Sequence, residues 1–509
     1  MSQENVVESA EKNDTASHSE QHLVRLSKLK AISQNGYPYP NDVKLDGSSS
    51  VVCKLAESEN ALDVSNRRRF TIAGRLLSFR LMGKAAFCHL QDSSGKVQLY
   101  VKRDEVGEEV FQSFKTFDLG DIVETSGYAF ITKTGEPSLH VEKIRLLVKC
   151  LHPLPEKYHG LTDVEVRYRQ RYLDLMVNPE SAEVFRTRAK VIREIRNFFD
   201  ARGYIEVETP VLTSLASGAT ARPFGTHHNA LNLDLYLRIA LELPLKKLVV
   251  GGFERVYEIS KVFRNEGIST EHNPEFTMIE FYQAYATYED LMDLTEDLIV
   301  QLFDLIRGSR TVIFNGHEVS VDPPWKRLTM KDAIRELGNI PSDIDLDSID
   351  GVRKAGELLG SNDLQEIDDY GKLLYEVFDR HIEKLIVDPV FITQHPLSIS
   401  PLSRPNLDDP RFTDRFELMV GGVELGNAFS ELNDPIDQAE RFDMQLRDRA
   451  DGDDEAMDKD DDFVTALEYG LPPTAGEGIG IDRLVMFLTG AKSIRDVILF
   501  PTMRPIDGK

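Results

Sequence analysis

The chain has 509 residues, 41% hydrophobic and 28% charged, with a formal net charge of −25; it is long enough for two or three domains and composed like a globular protein. The acidic balance counts against coating nucleic acid through bulk charge, and no apolar run reaches the roughly 20 residues of a membrane helix. The three cysteines, Cys53, Cys88 and Cys150, form no CxxC pair, which argues against a disulfide framework or structural zinc and for a reducing cytoplasm.

Residues 1–19 are polar and acidic, without the apolar core of a secretion signal, and read as a disordered tail. An N-terminal helical segment is expected over 20–66. Its first part, EQHLVRLSKLKAISQN, places Leu23, Leu26, Leu29 and Ile32 on one helical stripe before GYPYPND ends it. Between 67 and 150 the period shortens to that of strands. The runs FTIAGRLLSFRL, AAFCHLQD, KVQLYVK, DIVETSGYAFITK and SLHVEKIRLLVK are separated by turn signals and a helix at 105–117. That pattern predicts a small Greek-key barrel of OB type. Such barrels either stack single-stranded nucleic acid on exposed rings or serve as interaction modules, and the pattern alone favours neither. Arg67, Arg68 and Arg69 make a local basic surface just before the first strand.

HPLPEKYHG opens a linker placed at 151–184, within which EVRYRQRYLDL reads as a charged helix. SAEVFRTRAKVIREIRNFFDARG is a long helix, and the strand YIEVETPVL carries Pro210, which belongs at an edge, a bulge or an interface. The rest mixes strands and helices in a second domain, 185–509, with an acidic helical insertion at about 325–390. DGDDEAMDKDDD at 451–462 reads as a solvated loop. The fold class is α+β, multidomain.

Three stretches carry the chemistry. In VFRNEGISTEHNPEFTMIEFYQAY, residues 262–285, two strands flank a polar loop. At period 2 a hairpin brings Arg264, Phe276, Glu280 and Tyr282 to a common surface. An ordinary amphipathic hairpin with a solvated face is the bland reading, but one Arg, one Glu and two aromatic residues on that face, beside a long polar loop, read as the floor of a pocket. A guanidinium there suits phosphate oxygens, and a phenyl ring suits a purine. In RFELMVGGVELGNAFSELND, residues 415–434, a turn at Gly421-Gly422 sets Glu417 diagonal to Glu424. Two carboxylates with no basic partner between them would repel unless a cation intervenes; a solvated face is the other reading. Asn427, Phe429 and Glu431 have the opposite parity, so a bulge near Gly426 is needed to bring them to the same cavity. In GLPPTAGEGIGIDRLVMFLTG, residues 470–490, the GxGxxG pattern fails at Ile481. What remains is a Gly-rich strand entering a helix whose start places Arg483 for phosphate.

Together, VFRNEGIS, HNPEFTM, GNAFSELND and GLPPTAG-x-GIGIDRLVM resemble the class II aminoacyl-tRNA synthetases, and within them the lysyl-specific enzymes of bacterial type. The resemblance runs from about residue 20 to the end. Residues 185–213, 253–285 and 470–501 match the three class motifs in order, while class I motifs of HIGH and KMSKS type are absent. It implies an antiparallel catalytic sheet flanked by helices, and an OB-fold that binds an anticodon. It also implies a cytoplasmic homodimer that joins L-lysine, ATP and tRNA(Lys) with Mg2+. Carried over residue by residue, Arg264 holds the α-phosphate and the lysine carboxylate, and Phe276 stacks on adenine. Glu266, His272 and Asn273 contact ATP, Arg483 the γ-phosphate, and Glu417 and Glu424 the magnesium. Gly218 and Glu242 receive the α-ammonium, and Glu280, Tyr282 and Glu431 the ε-ammonium. Asn427 orients the carboxylate and Phe429 packs on the methylene stem. On the barrel, Phe87 is the stacking ring and Arg75, Gln98 and Glu136 read base edges. Glu477 stands where many relatives carry an apolar residue. Rival readings are an aspartyl- or asparaginyl-specific enzyme, a relative that attaches lysine to protein, and a non-catalytic RNA-binding scaffold.

Overall fold

Alternation of inward apolar and outward polar residues curls five strands into a closed barrel, in the order β1 (Arg69–Met82), β2 (Ala85–Asp92), β3 (Gly95–Lys102), β5 (Pro137–Val148), β4 (Ile122–Ile131). The computed structural model describes residues 20–34, 36–155, 161–215, 217–219, 221–450 and 458–506. The tail expected at 1–19 and residues 451–457 of the acidic run lie outside them. The chain divides at Gly160 and Leu161 into two units.

In the first unit Phe70, Ile72, Leu76, Leu90, Leu99, Val101 and Val123 fill the barrel. On β4 a register shift falls at Gly127, where a Cβ would strike the His140 carbonyl. Helix α1 (Glu20–Ser33) and helix α2 (Ser49–Asn60) accompany the barrel; Val52 and Ala56 of α2 are buried in its core. Of the apolar stripe expected on α1, Leu26, Leu29 and Ile32 are half-buried, but Leu23 is 45% exposed, and the fully buried residues are His22 and Arg25. Charge is the reason. The Arg25 guanidinium donates to the carbonyls of Leu119, Cys150 and His152, at 3.1, 3.0 and 2.9 Å. Lys28 pairs with Asp118 at 2.8 Å.

The second unit is built on an eight-stranded sheet, in the order β14 (Lys326–Thr329), β15 (Val390–Thr393), β16 (Arg415–Val420), β17 (Val423–Ser430), β18 (Thr474–Gly480), β11 (Glu275–Ala284), β10 (Arg255–Phe263), β6 (Ile205–Glu206). All neighbours are antiparallel except the two outermost pairs. The parallel pair β14–β15 needs a crossover, and the helical insertion supplies it, through Met330–Leu337, Ile349–Leu359 and Tyr370–His381. Strand β6 has only two residues, and Pro210 follows it at the sheet edge. Residues 164–177, expected within a linker, are helical and tied to this unit. Arg171 pairs with Asp174 at 2.6 Å and donates to the carbonyls of Arg495 and Leu499, at 2.7 and 3.0 Å.

One face of the sheet is covered by α6 (Pro179–Asp200), α8 (Tyr288–Leu302) and α14 (Ile481–Thr489). In this layer Phe199 meets Tyr257 and Phe281 with ring centroids 5.2 and 4.6 Å apart. Glu477 of β18 shares the layer, in register with Phe281 and Ala428. Its Oε2 accepts the Thr295 hydroxyl at 2.6 Å, while Oε1 has no hydrogen-bond partner among the described residues. Burial pushes this carboxyl up to about 8, and the Thr295 hydrogen bond pulls it only partway back. Because the fold raises its pKa, the group takes up a proton on folding. Its contribution is complete below the ordinary carboxylate range and is lost as pH rises through about 8. The uncharged isostere Glu477→Gln escapes that loss. Its stability advantage over the wild type is expected to widen by about 1–3 kcal/mol between roughly pH 6 and pH 9. Chemical denaturation at the two pH values checks this, and a constant difference would contradict it.

Candidate functional site

The other face of the sheet carries a cavity of about 420 Å³. Strands β10 and β11 pair with Val262 opposite Phe276 and Glu258 opposite Glu280, so Phe276, Met278, Glu280 and Tyr282 line the floor. The polar loop closes where the Arg264 N–H donates to Pro274 O at 2.9 Å, and the Arg264 guanidinium lies 5.3 Å from the Phe276 ring centroid. Next to β11, β18 places Gly476 opposite Tyr282 and Gly478 opposite Glu280. A Cβ on Gly476 would overlap the Tyr282 ring and stand 2.5 Å from Glu431 Oε1. The β16–β17 hairpin turns at Gly421 and Gly422, both at positive φ, +58° and +73°. The bulge that parity demands falls at Leu425; beyond it Glu417 pairs with Asn427, and Glu417, Glu424, Asn427 and Phe429 all line the cavity. Gly218, Glu242, Glu266, His272, Asn273 and Arg483 line it too. Of the expected ligands in this unit, Glu431 alone lies outside the lining: it is 2% exposed, beside Gly476.

One end of the cavity is acidic. Glu280 is 4% exposed; its Oε1 accepts the Leu241 N–H at 2.9 Å and its Oε2 the Tyr282 hydroxyl at 3.1 Å. Burial, then the neighbouring Glu242 carboxylate, push Glu280 up to about 7. Glu242 opens helix α7 (Glu242–Val250), one turn before Lys246. Lys246 is wholly buried; its Nζ lies 2.5 Å from Glu242 Oε1 and pairs also with Glu431. Burial alone would lower the Lys246 pKa, but the two carboxylates outweigh it and keep the ammonium charged. Gly218, at φ +92°, lies against the base of the Glu242 side chain; a Cβ there would be 3.5 Å from Glu242 Cβ. Burial also raises the carboxyls of Glu242 and Glu431, with Lys246 opposing the shift; three acidic groups beside one ammonium leave an acidic surplus in a desolvated place, which a cationic ligand would balance.

The other end is cationic. Arg483, at the start of α14, donates to Glu424 O at 2.7 Å, stands 3.4 Å from Glu424 Oε2, and meets His272 Nε2 at 3.3 Å. The start of α14 is pinned by Asp482, which accepts the Thr277 N–H at 2.6 Å and pairs with Arg188. Burial and then Arg483 lower the His272 pKa, so the imidazole is neutral near pH 7. The Asn273 amide is engaged by backbone: it donates to Glu275 O at 2.6 Å and accepts the Thr502 N–H at 3.1 Å.

The expectation that Glu417 and Glu424 lack basic partners is corrected. Arg415, two residues before Glu417 and on the same strand face, donates to Glu417 Oε1 at 2.6 Å, and Arg483 flanks Glu424. Among the described residues, no group of three or more His, Cys, Asp and Glu side chains is placed to hold a metal. Two carboxylates still suit Mg2+, which commonly takes one or two from the protein and its remaining oxygens from substrate phosphates. Sequence reasoning missed Lys246 and Arg415. Their signals were a helical spacing of four from Glu242 and a strand spacing of two from Glu417.

On the barrel, β2 and β3 set Phe87 opposite Tyr100, with centroids 4.9 Å apart, and His89 opposite Gln98. Glu136 joins them: Oε2 accepts Gln98 Nε2 at 2.7 Å, and Oε1 lies 3.0 Å from His89 Nε2. Arg75 is not brought there. It sits opposite Gln91 and donates to Gly120 O at 2.7 Å, whereas Arg80 is the residue opposite Phe87. Arg67 and Arg69 lie 5.4 and 5.1 Å from the Tyr128 ring centroid, and that ring stacks on His140 at 4.7 Å. Rings, amide and carboxylate edges and arginines on one barrel match what single-stranded nucleic acid requires.

Comparison with known proteins agrees with these features. Residues 163–504 match the family model for class II tRNA synthetases (D, K and N), and residues 70–147 match an OB-fold nucleic acid binding domain. A lysine–tRNA ligase of Coxiella burnetii (strain Dugway 5J108-111) is 52% identical over 97% of this chain and 99% of its own. Lysine–tRNA ligases of Salmonella arizonae and Bacillus cereus (strain B4264) are 51% and 49% identical, over 95% and 96% of this chain and 96% and 99% of theirs. With a family model spanning most of the chain and relatives at half identity over nearly all of it, the chain belongs to the class II tRNA synthetases of the D, K and N group.

Proposed function

We propose that the enzyme is a lysine–tRNA ligase, which activates L-lysine with ATP to lysyl-adenylate and pyrophosphate and then transfers lysine to the 3′ end of tRNA(Lys). One observation carries the choice of lysine. Glu280 is a buried carboxylate with no basic partner among the described residues, capped by Tyr282, in the same cavity as Arg264 and Arg483. An ammonium that reaches Glu280 gains a desolvated ion pair, and a neutral side chain of similar size leaves it unpaired. An aspartate-selecting site would need a cation there. The relatives' names point the same way.

In this reading Gly218 and Glu242 receive the α-ammonium and Glu280 and Tyr282 the ε-ammonium. Glu431 acts from behind Gly476, and Phe429 packs on the stem. Arg264 and Asn427 orient the lysine carboxylate so that one oxygen attacks the α-phosphorus in line and pyrophosphate leaves. Phe276 stacks on adenine, and Glu266, His272, Asn273 and Arg483 contact the nucleotide. Glu417 and Glu424 would hold Mg2+, which when bound neutralises phosphate charge. In the second step the terminal ribose hydroxyl attacks the activated carbonyl and AMP leaves. Neither step needs a protein nucleophile; positioning and charge do the chemistry. The barrel surface around Phe87, Gln98 and Glu136 takes the anticodon, with Arg75 at its periphery. Work in the cytoplasm as a homodimer completes the reading.

ATP–pyrophosphate exchange with lysine, aspartate and asparagine, followed by charging of lysine tRNA, tests it. Exchange is expected with lysine alone, and exchange driven by aspartate or asparagine would overturn it. Glu280→Gln is expected to raise the KM for lysine on the order of 100-fold and leave the KM for ATP within about twofold. Because only the carboxylate form of Glu280 attracts an ammonium, the wild-type KM for lysine falls as pH rises through about 7. Glu280→Gln flattens that dependence; an unchanged pH profile in the variant would assign it to another group. Gly476→Ala places a methyl against Tyr282 and Glu431. It is expected to cut lysine activation by about 100-fold or more while the protein stays folded, read by exchange kinetics beside circular dichroism.

A further inference from the structure

We propose that Lys246 is a positioning residue that sets which diamino acid the cavity accepts, by bridging Glu242 and Glu431 and fixing the spacing of two carboxylates that act on opposite ends of the substrate. The inference rests on the lysine reading above and goes beyond it. Lys246 does not line the cavity and is wholly buried, so it acts through other residues. Its single ammonium is shared by carboxylates from two different elements. Glu242 begins α7, and Glu431 follows the last residue of β17. Apart from this ion pair, neither Glu431 oxygen has a hydrogen-bond partner among the described residues, and of these residues Lys246 is the one that holds that carboxylate in place. The ammonium is itself confined, 5.2 and 5.7 Å from the ring centroids of Phe429 and Phe463.

A pair that served stability alone would need one carboxylate for one ammonium, and burying such a pair adds little net stability. Here the ammonium binds two carboxylates and leaves a third, Glu280, unpaired in the same chamber. The arrangement therefore sets both a charge and a distance. Held by one nitrogen, the two receptors cannot move apart or together to follow a chain of different length. A diamino acid one methylene shorter, such as ornithine, leaves a buried carboxylate short of its partner. Without the bridge the carboxylates repel, move or take up a proton, and the length reading is lost.

The test uses full-length wild type, Lys246→Met and Lys246→Arg in ATP–pyrophosphate exchange with lysine and ornithine. Wild type is expected to prefer lysine; if it does not activate lysine, the lysine reading itself fails and this inference falls with it. Given an active wild type, Lys246→Met is expected to raise the KM for lysine at least about tenfold and leave the KM for ATP within about twofold. It should also lower the lysine-to-ornithine ratio of kcat/KM by at least about tenfold, a change that loss of stability alone would not produce. An unchanged or lower KM for lysine, or an unchanged ratio, overturns the proposal and leaves the lysine reading intact. Should Lys246→Met fail to fold, Lys246→Arg decides, since it keeps the charge but spreads the two carboxylates: a shifted ratio supports the ruler and an unshifted one removes it.

Discussion

Three carboxylates, Glu242, Glu280 and Glu431, share a desolvated chamber in which Lys246 pairs with two of them and Glu280 has no basic partner among the described residues. Unscreened charge of that kind is costly, and much of the surrounding structure can be read as what makes it tolerable. The N–H of Leu241, just before α7, is spent on Glu280, which ties the start of that helix to β11. The Tyr282 hydroxyl takes the other oxygen. Strand β18 carries glycine where a side chain would fill the space between Tyr282 and Glu431. The chamber is thus left with room beside Tyr282 and Glu431 that a side chain on β18 would fill.

The cationic end uses the same sheet as its frame. Arg264 lies just beyond β10, and Arg483 at the head of α14, whose first turn is held to β11 by Asp482 on the Thr277 N–H. Mounting opposed charges on rigid strands and a pinned helix start fixes their separation better than loops could. It also explains the place of Arg415: without it, Glu417 would join Glu280 and Glu477 as a sheet carboxylate lacking a guanidinium or ammonium partner among the described residues. Behind the same strands Glu477 is buried with only a threonine for a partner. Its place in the apolar layer makes it a pH-sensitive element of the fold with no contact of its own to the cationic groups.

The barrel has its own core and its own logic. Its chain is acidic overall, yet Arg67, Arg69 and Arg80 gather beside aromatic residues on its outer face. Local charge with stacking rings is sufficient for a single strand.

Much of this was legible in the chain itself. Period 2 in residues 255–284 put Arg264, Phe276, Glu280 and Tyr282 on one surface, because strand register is set by which face is apolar. The same parity argument required a bulge in 423–430, and the bulge is there. Five short strands implied a barrel. Other features depended on tertiary contact. On α1 the deep burial fell to Arg25 rather than to Leu23, because Arg25 found three carbonyls distant in sequence. Residues 164–177 became part of the second unit because Arg171 reached the 495–499 segment. Arg80 rather than Arg75 stands by Phe87 because the pairing of β1 with β2 sets Arg75 opposite Gln91, four residues along β2 from Phe87, and a register shift after Leu76 brings Arg80 to the place Phe79 would otherwise take. Most consequentially, Lys246 was visible as a partner of Glu242 one helical turn away, but its second partner, Glu431, lies far along the chain. Local periodicity says which residues share a face; which faces meet, and which charges are thereby buried together, is decided only when the elements pack.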